Sequence, residues 1–122
     1  MYSYEEVLDQ IENGRRFGNR PGVEITGIML EQMGQPQNGM PFIHVAGTNG
    51  KGSVCAYMES CLREMGFKTG LFTSPHLVRI NERIRINNRE ISDKAFSEAF
   101  YKVKALVDAQ SAEGIVHPTF FE

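Results

Sequence analysis

The sequence has only two cysteines, Cys55 and Cys61. They fall on one predicted helix at a spacing that puts them on different faces and out of disulfide reach. A disulfide framework is excluded, and both read as small buried hydrophobes in a reducing cytoplasm. No Cys/His spacing of the zinc-binding kind occurs, and no Ser/His/Asp or Cys/His constellation offers a nucleophile. No apolar run approaches the ~20 residues that span a bilayer. The start, Met1-Tyr-Ser-Tyr-Glu-Glu6, is too acidic for a signal peptide. A cytoplasmic chain with no membrane partner is the expectation. A net charge of −2, from 13 basic and 15 acidic residues, gives no electrostatic reason for a polyanion partner. Internal repeats and low-complexity segments are absent. At 122 residues and 41% hydrophobic content, what remains is at most one domain of a soluble globular protein.

What is present is concentrated in one stretch. Phe42 to Val45 is a short β-type run that empties into Gly47, Thr48, Asn49, Gly50, Lys51, Gly52 and Ser53, after which a helical pattern begins. Glycines let backbone N–H groups approach phosphate oxygens with no Cβ in the way, and they tolerate turns that aim successive amides inward. A following helix adds its unpaired first amides and the positive end of its dipole. Lys51 supplies a point charge for the β- and γ-phosphates, and the Ser53 hydroxyl suits a Mg²⁺ shell. The pattern departs twice from G-x-x-x-x-G-K-[ST]: Val45 stands at the first glycine position, and Gly52 separates Lys51 from Ser53. A glycine-rich strand-to-helix turn can also bind nothing. Here strand, loop, lysine, hydroxyl and helix arrive in the order that phosphate binding needs, and ATP with Mg²⁺ is the expected cofactor set.

Around this loop the pattern is α/β. Ser3 with Glu6 reads as a capping box, and Tyr4, Val7, Leu8 and Ile11 form an apolar stripe that closes at Asn13-Gly14. A basic loop from Arg15 to Gly22 leads to a second predicted helix carrying Ile25, Ile28, Met29 and Met33 and closed by Gly34. After the glycine loop, Val54, Met58, Cys61, Leu62 and Met65 predict one face of a helix that stops at Gly66, and Thr69 to Thr73 reads as a second strand. Such β-loop-α-β crossovers are right-handed and give parallel strands, so Thr73, Ser74 and His76 are expected at the same sheet edge as the loop. From Arg79 to Ile91 the pattern alternates. Ile80, Glu82, Ile84 and Ile86 share one face, and Arg79, Asn81, Arg83 and Arg85 share the other. Asn87-Asn88 is a two-residue turn, and Ser92 caps a long helix whose inner face is Phe96, Phe100, Val103 and Val107, broken at Gly114. No aromatic residue interleaves the arginines as a stacking platform, and Glu82 and Glu90 offset their charge, so no nucleic-acid partner is expected. The end, Ile115 to Glu122, is apolar and aromatic. Only two parallel strands are predicted where a doubly wound domain needs about four or more, and no second acidic strand end for a metal is found. The chain reads as the front of a longer protein.

The stretches Gly47-Thr-Asn-Gly-Lys-Gly-Ser53, Leu71-Phe-Thr-Ser-Pro-His-Leu77 and Asn81-Glu-Arg-Ile84 resemble the N-terminal part of the folylpolyglutamate synthase/dihydrofolate synthase family. That family belongs to the wider Mur-ligase-like group of ATP-dependent amide-forming enzymes, and the extra Gly52 is part of its loop. The resemblance runs from about Tyr4 to Glu122 and is most specific between Gly47 and Ile84. It implies an α/β fold, a P-loop-containing parallel sheet of Mur-ligase-like type, with residues 1–122 as the N-terminal portion of the ATP-binding domain and a second domain absent. It implies ATP-dependent addition of L-glutamate to folate or dihydropteroate through an acyl phosphate, within folate biosynthesis and one-carbon metabolism. Lys51 would be the catalytic residue, the partners small molecules, and the full-length enzyme a monomer.

Some residues carry a role only through that resemblance. Ser74 by itself is a turn hydroxyl before Pro75, and the resemblance makes it a Mg²⁺ ligand beside Ser53. Thr119, Phe120, Phe121 and Glu122 would pass for a core segment, and the resemblance makes them a pterin-holding one. Asn19, Arg20 and Pro21 align more loosely with another pterin-contacting stretch. His76, grouped with the substrate-binding residues, either faces the site or caps its loop. The Thr73–His76 loop and the Thr119–Glu122 segment look more like the bifunctional form, which accepts dihydropteroate as well as reduced folates. Two other classes stand beside this reading: another P-loop enzyme, such as a Mur-type peptide ligase or a small-molecule kinase, and a non-catalytic nucleotide-binding fragment. These 122 residues alone are expected to be inactive.

Overall fold

The computed structural model describes residues 3–14 and 23–112. Asn19, Arg20 and Pro21, the helix break at Gly114, and Thr119 to Glu122 lie outside the described residues. The chain divides into two units, one comprising Phe42–Phe96 and the other the segments on either side of it.

In the flanking unit the first helix, α1, is Tyr4–Gly14. The capping box forms as the sequence predicts: Ser3 N–H donates to the Glu6 carboxylate, and Glu6 N–H donates to Ser3 Oγ at 3.2 Å. Such caps contribute about 1 kcal/mol by satisfying first-turn amides that have no partner in the helix. Val7, in the predicted stripe, is completely buried. The second helix, α2, is Val23–Gln32 and buries Met29. It closes at Gly34, where Gln35 N–H reaches back to Leu30 O at 2.8 Å and Gly34 N–H to Glu31 O at 3.0 Å.

The unit Phe42–Phe96 holds the glycine loop. Its helix, α3, is Lys51–Glu64, and it ends at Gly66, whose φ of 88° lets Phe67 N–H bond Leu62 O at 3.1 Å. Three short strands follow: β1 is Gly70–Phe72, β2 is Ile84–Ile86 and β3 is Arg89–Glu90. They form one sheet in the order β1-β2-β3, antiparallel throughout, with Leu71 opposite Arg85 and Arg85 opposite Glu90. The β2–β3 turn is Asn87-Asn88, both left-handed at φ 48° and 61°. That is the two-residue hairpin geometry that asparagine tolerates better than most residues. The last helix, α4, is Asp93–Ala112, and Ser92 Oγ accepts the Ala95 N–H at 3.2 Å, as expected of its cap.

Three local expectations are corrected. Phe42 to Val45 forms no strand: among the described residues it pairs with nothing, and Phe42 and Ile43 are exposed. Side-chain patterning can mark a run as β-type, but a strand needs a neighbour's backbone N–H and C=O groups. β1 therefore has an antiparallel partner in β2, and no parallel pair occurs among the described residues. The second correction concerns α3, whose inward residues are Cys55, Met58, Glu59 and Leu62; Val54, Cys61 and Met65 are exposed. The sequence stripe counted apolar side chains only, whereas the buried anchor of this helix is charged. Both cysteines are free, as the spacing required, but only Cys55 is even half-buried. Third, Ile80–Arg83 is a 3₁₀ turn and not part of an alternating strand.

Two polar networks explain how these short pieces hold together. The carboxylate of Glu59 on α3, almost fully buried, accepts the Thr69 hydroxyl proton at 2.6 Å and faces Arg63 Nε at 3.4 Å. Thr69 in turn exchanges two bonds with Asn87: its N–H donates to Asn87 Oδ1, and its carbonyl accepts the Asn87 N–H, each at 2.9 Å. A buried carboxylate is tolerable only with such partners. The second network centres on Asn81, 1% exposed, whose side-chain amide donates to Ile91 O and to Asp93 Oδ1, both at 2.9 Å. It ties the 3₁₀ turn to the end of the hairpin and the first turn of α4.

Candidate functional site

The glycine loop ends on Gly50, which is left-handed at φ 75°, ψ 0° and serves as the N-cap of α3. A side chain there would meet open space, so the requirement for glycine is conformational. Because glycine caps the helix, no side chain satisfies the first-turn amides. The N–H groups of Lys51, Gly52 and Ser53 are thus the ones a helix leaves for a ligand, at the positive end of its dipole. Lys51 is the first helical residue, and its ammonium turns back over the loop, donating to Gly47 O at 2.5 Å and Thr48 O at 3.3 Å. An ammonium has three donors, so one remains after both contacts. Thr48, Asn49, Gly52 and Ser53 are all exposed. The result is an open, positively charged concentration of donors suited to an anion such as a polyphosphate.

The second predicted segment begins where β1 ends. Thr73 N–H donates to Arg83 O at 2.9 Å, Ser74 is exposed, and the Ser74–Pro75 peptide is cis. His76 is half-buried and bonds within its own segment. Its Nδ1 accepts from Arg83 Nε at 2.8 Å. Among the described residues, no hydrogen bond or ion pair joins the Gly47–Ser53 loop to Ser74 or His76. His44 is exposed.

The arginine face is spent largely inside the molecule. Arg79 pairs with Asp93 at 2.5 Å, Arg83 holds His76, and Arg85 faces Glu90 at 3.8 Å. These partners make the arginine face a paired, partly solvated surface.

Glu82 is the residue that pattern reading misplaced. Its carboxylate accepts three consecutive backbone N–H groups, from Leu77 at 2.9 Å, Val78 at 2.8 Å and Arg79 at 2.6 Å. Bonding to Leu77, then Arg79 and Val78, with the nearby His76 adding a little, lowers its pKa from 4.5 to about 2. The signal was present: a glutamate three residues after Arg79 is half of a capping box, with Glu82 N–H also bonding Arg79 O at 3.1 Å. It was hidden because Arg79 lacks the Ser or Thr that marks the other half. A depressed carboxylate contributes stability above its unfolded pKa and loses it as pH falls through the folded one. The melting temperature of the full-length protein is therefore expected to carry a component that disappears between pH 4.5 and 2. Glu82→Gln should lack that component, so its deficit against wild type should shrink as the pH approaches 2. A deficit constant across the titration, read by circular dichroism, would count against the clamp.

Among the described residues, no cluster of three or more His, Cys, Asp or Glu side chains stands ready to hold a metal, and no helix is long and apolar enough to cross a membrane. No model of a known protein family matches the chain. Individual proteins do. The chain is 36% identical over 120 residues to a dihydrofolate synthase/folylpolyglutamate synthase of Bacillus subtilis, covering 98% of this chain and 28% of that protein. A folylpolyglutamate synthase complex with AMPPCP and folate matches at a TM-score of 0.88 and 33% identity, over 98% of this chain and 30% of the other. The folylpolyglutamate synthase of Mycobacterium tuberculosis, complexed with ADP and AMPPCP, matches at a TM-score of 0.82 and 30% identity, over 98% and 27% respectively. The chain thus spans less than a third of the length of each.

Proposed function

The chain belongs to the folylpolyglutamate synthase/dihydrofolate synthase family, of Mur-ligase-like α/β fold, and on that premise we propose that the full-length protein is an ATP-dependent ligase adding L-glutamate to folate or dihydropteroate. The observation that carries the reading is the Gly50–Lys51 geometry: a glycine-capped helix start with free amides and an ammonium folded over the loop. Residues 1–122 would be the N-terminal portion of its ATP-binding domain, with the rest of the active site in later segments.

In the reaction, an acceptor carboxylate oxygen attacks the γ-phosphorus of ATP and the bond to the ADP oxygen breaks, giving an acyl phosphate. The glutamate amine then attacks the acyl carbon, inorganic phosphate leaves, and the nitrogen gives up its proton. The first step asks for positioning and charge neutralisation, not a protein nucleophile. The loop amides and Lys51 bind the phosphates and hold negative charge as it moves toward the β–γ bridging oxygen. Mg²⁺ prefers oxygen ligands, keeps several waters and commonly binds with substrate phosphates, which a site offering hydroxyls and no acidic cluster can accommodate. Ser53 and Ser74 are the exposed hydroxyls that would hold it. When bound, it neutralises charge on the phosphate oxygens. His76, Asn19, Arg20, Pro21 and Thr119 to Glu122 are assigned to the acceptor side, the protein to the cytoplasm as a monomer, and its partners to small molecules.

The test is glutamate-dependent ADP release by the full-length protein, with reduced folate and with dihydropteroate as separate acceptors. The bifunctional reading expects release with both. Turnover with folate alone would leave only the folylpolyglutamate activity, and no glutamate-dependent release with either would overturn the proposal.

A further inference from the structure

One turn of chain holds the whole segment that follows β1. Residues 80–83 contribute Arg83 O to Thr73 N–H, Arg83 Nε to His76 Nδ1, and the Glu82 carboxylate to the N–H groups of Leu77, Val78 and Arg79. The 3₁₀ turn is itself anchored from below by the buried Asn81 amide. Yet the segment so held is short of packing: Leu77 and Val78 are 92% and 84% exposed, and Ser74 and Pro75 are exposed as well. Burial therefore cannot be what fixes its shape. Side-chain acceptors on successive amides do so instead, and a carboxylate does it best, because charge-assisted bonds are about twice as strong as neutral ones.

We propose that Glu82 is a positioning residue for the ligase reaction: its carboxylate sets the course of Leu77 to Arg79, and with Arg83 fixing Thr73 and the His76 ring it holds the segment in one arrangement, Ser74 toward the nucleotide and His76 toward the acceptor. This rests on the reading of the chain as part of an ATP-dependent ligase. The Glu82 carboxylate bonds backbone amides, so its role is to position and not to bind substrate or metal. It acts through the backbone of the loop, and loss of such a supporting contact costs about 10- to 100-fold in activity or metal affinity.

The stereochemistry predicts a rank order. Oε1 accepts from Val78 and Arg79, and Oε2 from Leu77. Glu82→Gln keeps one acceptor oxygen and turns the other into a donor facing a donor, whereas Glu82→Ala removes both. In the full-length enzyme, Glu82→Ala should lower kcat about tenfold or more with a smaller change in KM for ATP, and Glu82→Gln should fall between it and wild type. Amide exchange at Leu77, Val78 and Arg79 should accelerate in the same order, while the amides of α3 should not change. Faster exchange with unaltered kcat would show that the reaction does not use the loop's arrangement, and unchanged exchange would show that Glu82 does not set it; either overturns the proposal. Ser74→Ala, measured alongside, tests the underlying site separately. It should raise the Mg²⁺ concentration needed for half-maximal turnover without altering exchange at Leu77 to Arg79. An unaltered Mg²⁺ titration removes Ser74 from the metal site, while the Glu82 proposal is judged on exchange and kcat.

Discussion

Lys51→Ala in the full-length protein is expected to reduce kcat/KM for ATP about 10²- to 10³-fold, the range seen when one preorganised donor is removed from a site of developing charge. Lys51 is exposed, sits at the first position of α3, and among the described residues its ammonium bonds only the Gly47 and Thr48 carbonyls of its own loop. Alanine is a good helix former and creates no cavity there, so stability should change by no more than about 0.5 kcal/mol. The two measurements together separate a phosphate-binding lysine from one that merely staples the loop. A staple would cost fold stability and turnover alike, whereas a phosphate ligand costs turnover alone. Lys51→Arg should not restore activity, because a planar guanidinium cannot replace a compact ammonium folded over a tight loop. Unchanged ATP turnover in Lys51→Ala would end the phosphate assignment.

Asn81→Ala should have the largest effect on stability, about 2–4 kcal/mol. Its amide is 1% exposed and donates to two acceptors, Ile91 O and Asp93 Oδ1, that no alanine can serve. Leaving a buried acceptor without its partner costs about 1–3 kcal/mol, and the side chain's own packing is lost as well. Asp93 keeps its ion pair with Arg79, which places the estimate below the sum of two full penalties. Asn81→Asp is isosteric but sets a second carboxylate beside Asp93, so it should be at least as damaging. Urea unfolding of the full-length protein measures both. A loss under about 0.5 kcal/mol for Asn81→Ala would show that the turn is held from elsewhere.

The contrast between Lys51 and Asn81 also marks where sequence reading succeeds. The glycine loop, the Ser3–Glu6 box, the Ser92 cap, the helix ends at Gly34 and Gly66 and the Asn87-Asn88 turn were all legible. Each is decided by residues within a few positions of one another, where backbone φ preferences and side-chain-to-backbone bonds act locally. The motif spacing around Gly47–Ser53 and Ser74 likewise pointed to the family that the relatives share.

What only the tertiary structure decided depends mostly on partners distant in the chain, and for Glu82 on the path of the segment just before it. Phe42 to Val45 has strand-like side chains, but no described strand supplies its backbone partners. The inward face of α3 turns on Glu59, a charged residue made buriable by Thr69, ten positions away and invisible to any count of apolar periodicity. Glu82 sat at an alternating position among isoleucines, yet three amides of the preceding segment drew it out of a strand and into a clamp. Asn81, read as one polar residue on an arginine face, became the buried tie between hairpin and helix. For Glu59, Glu82 and Asn81, a polar side chain was assigned by what it could be beside its neighbours in sequence. Its role was set by which donors and acceptors the folded backbone brought within about 3 Å of it, because a buried polar group goes where it can be satisfied.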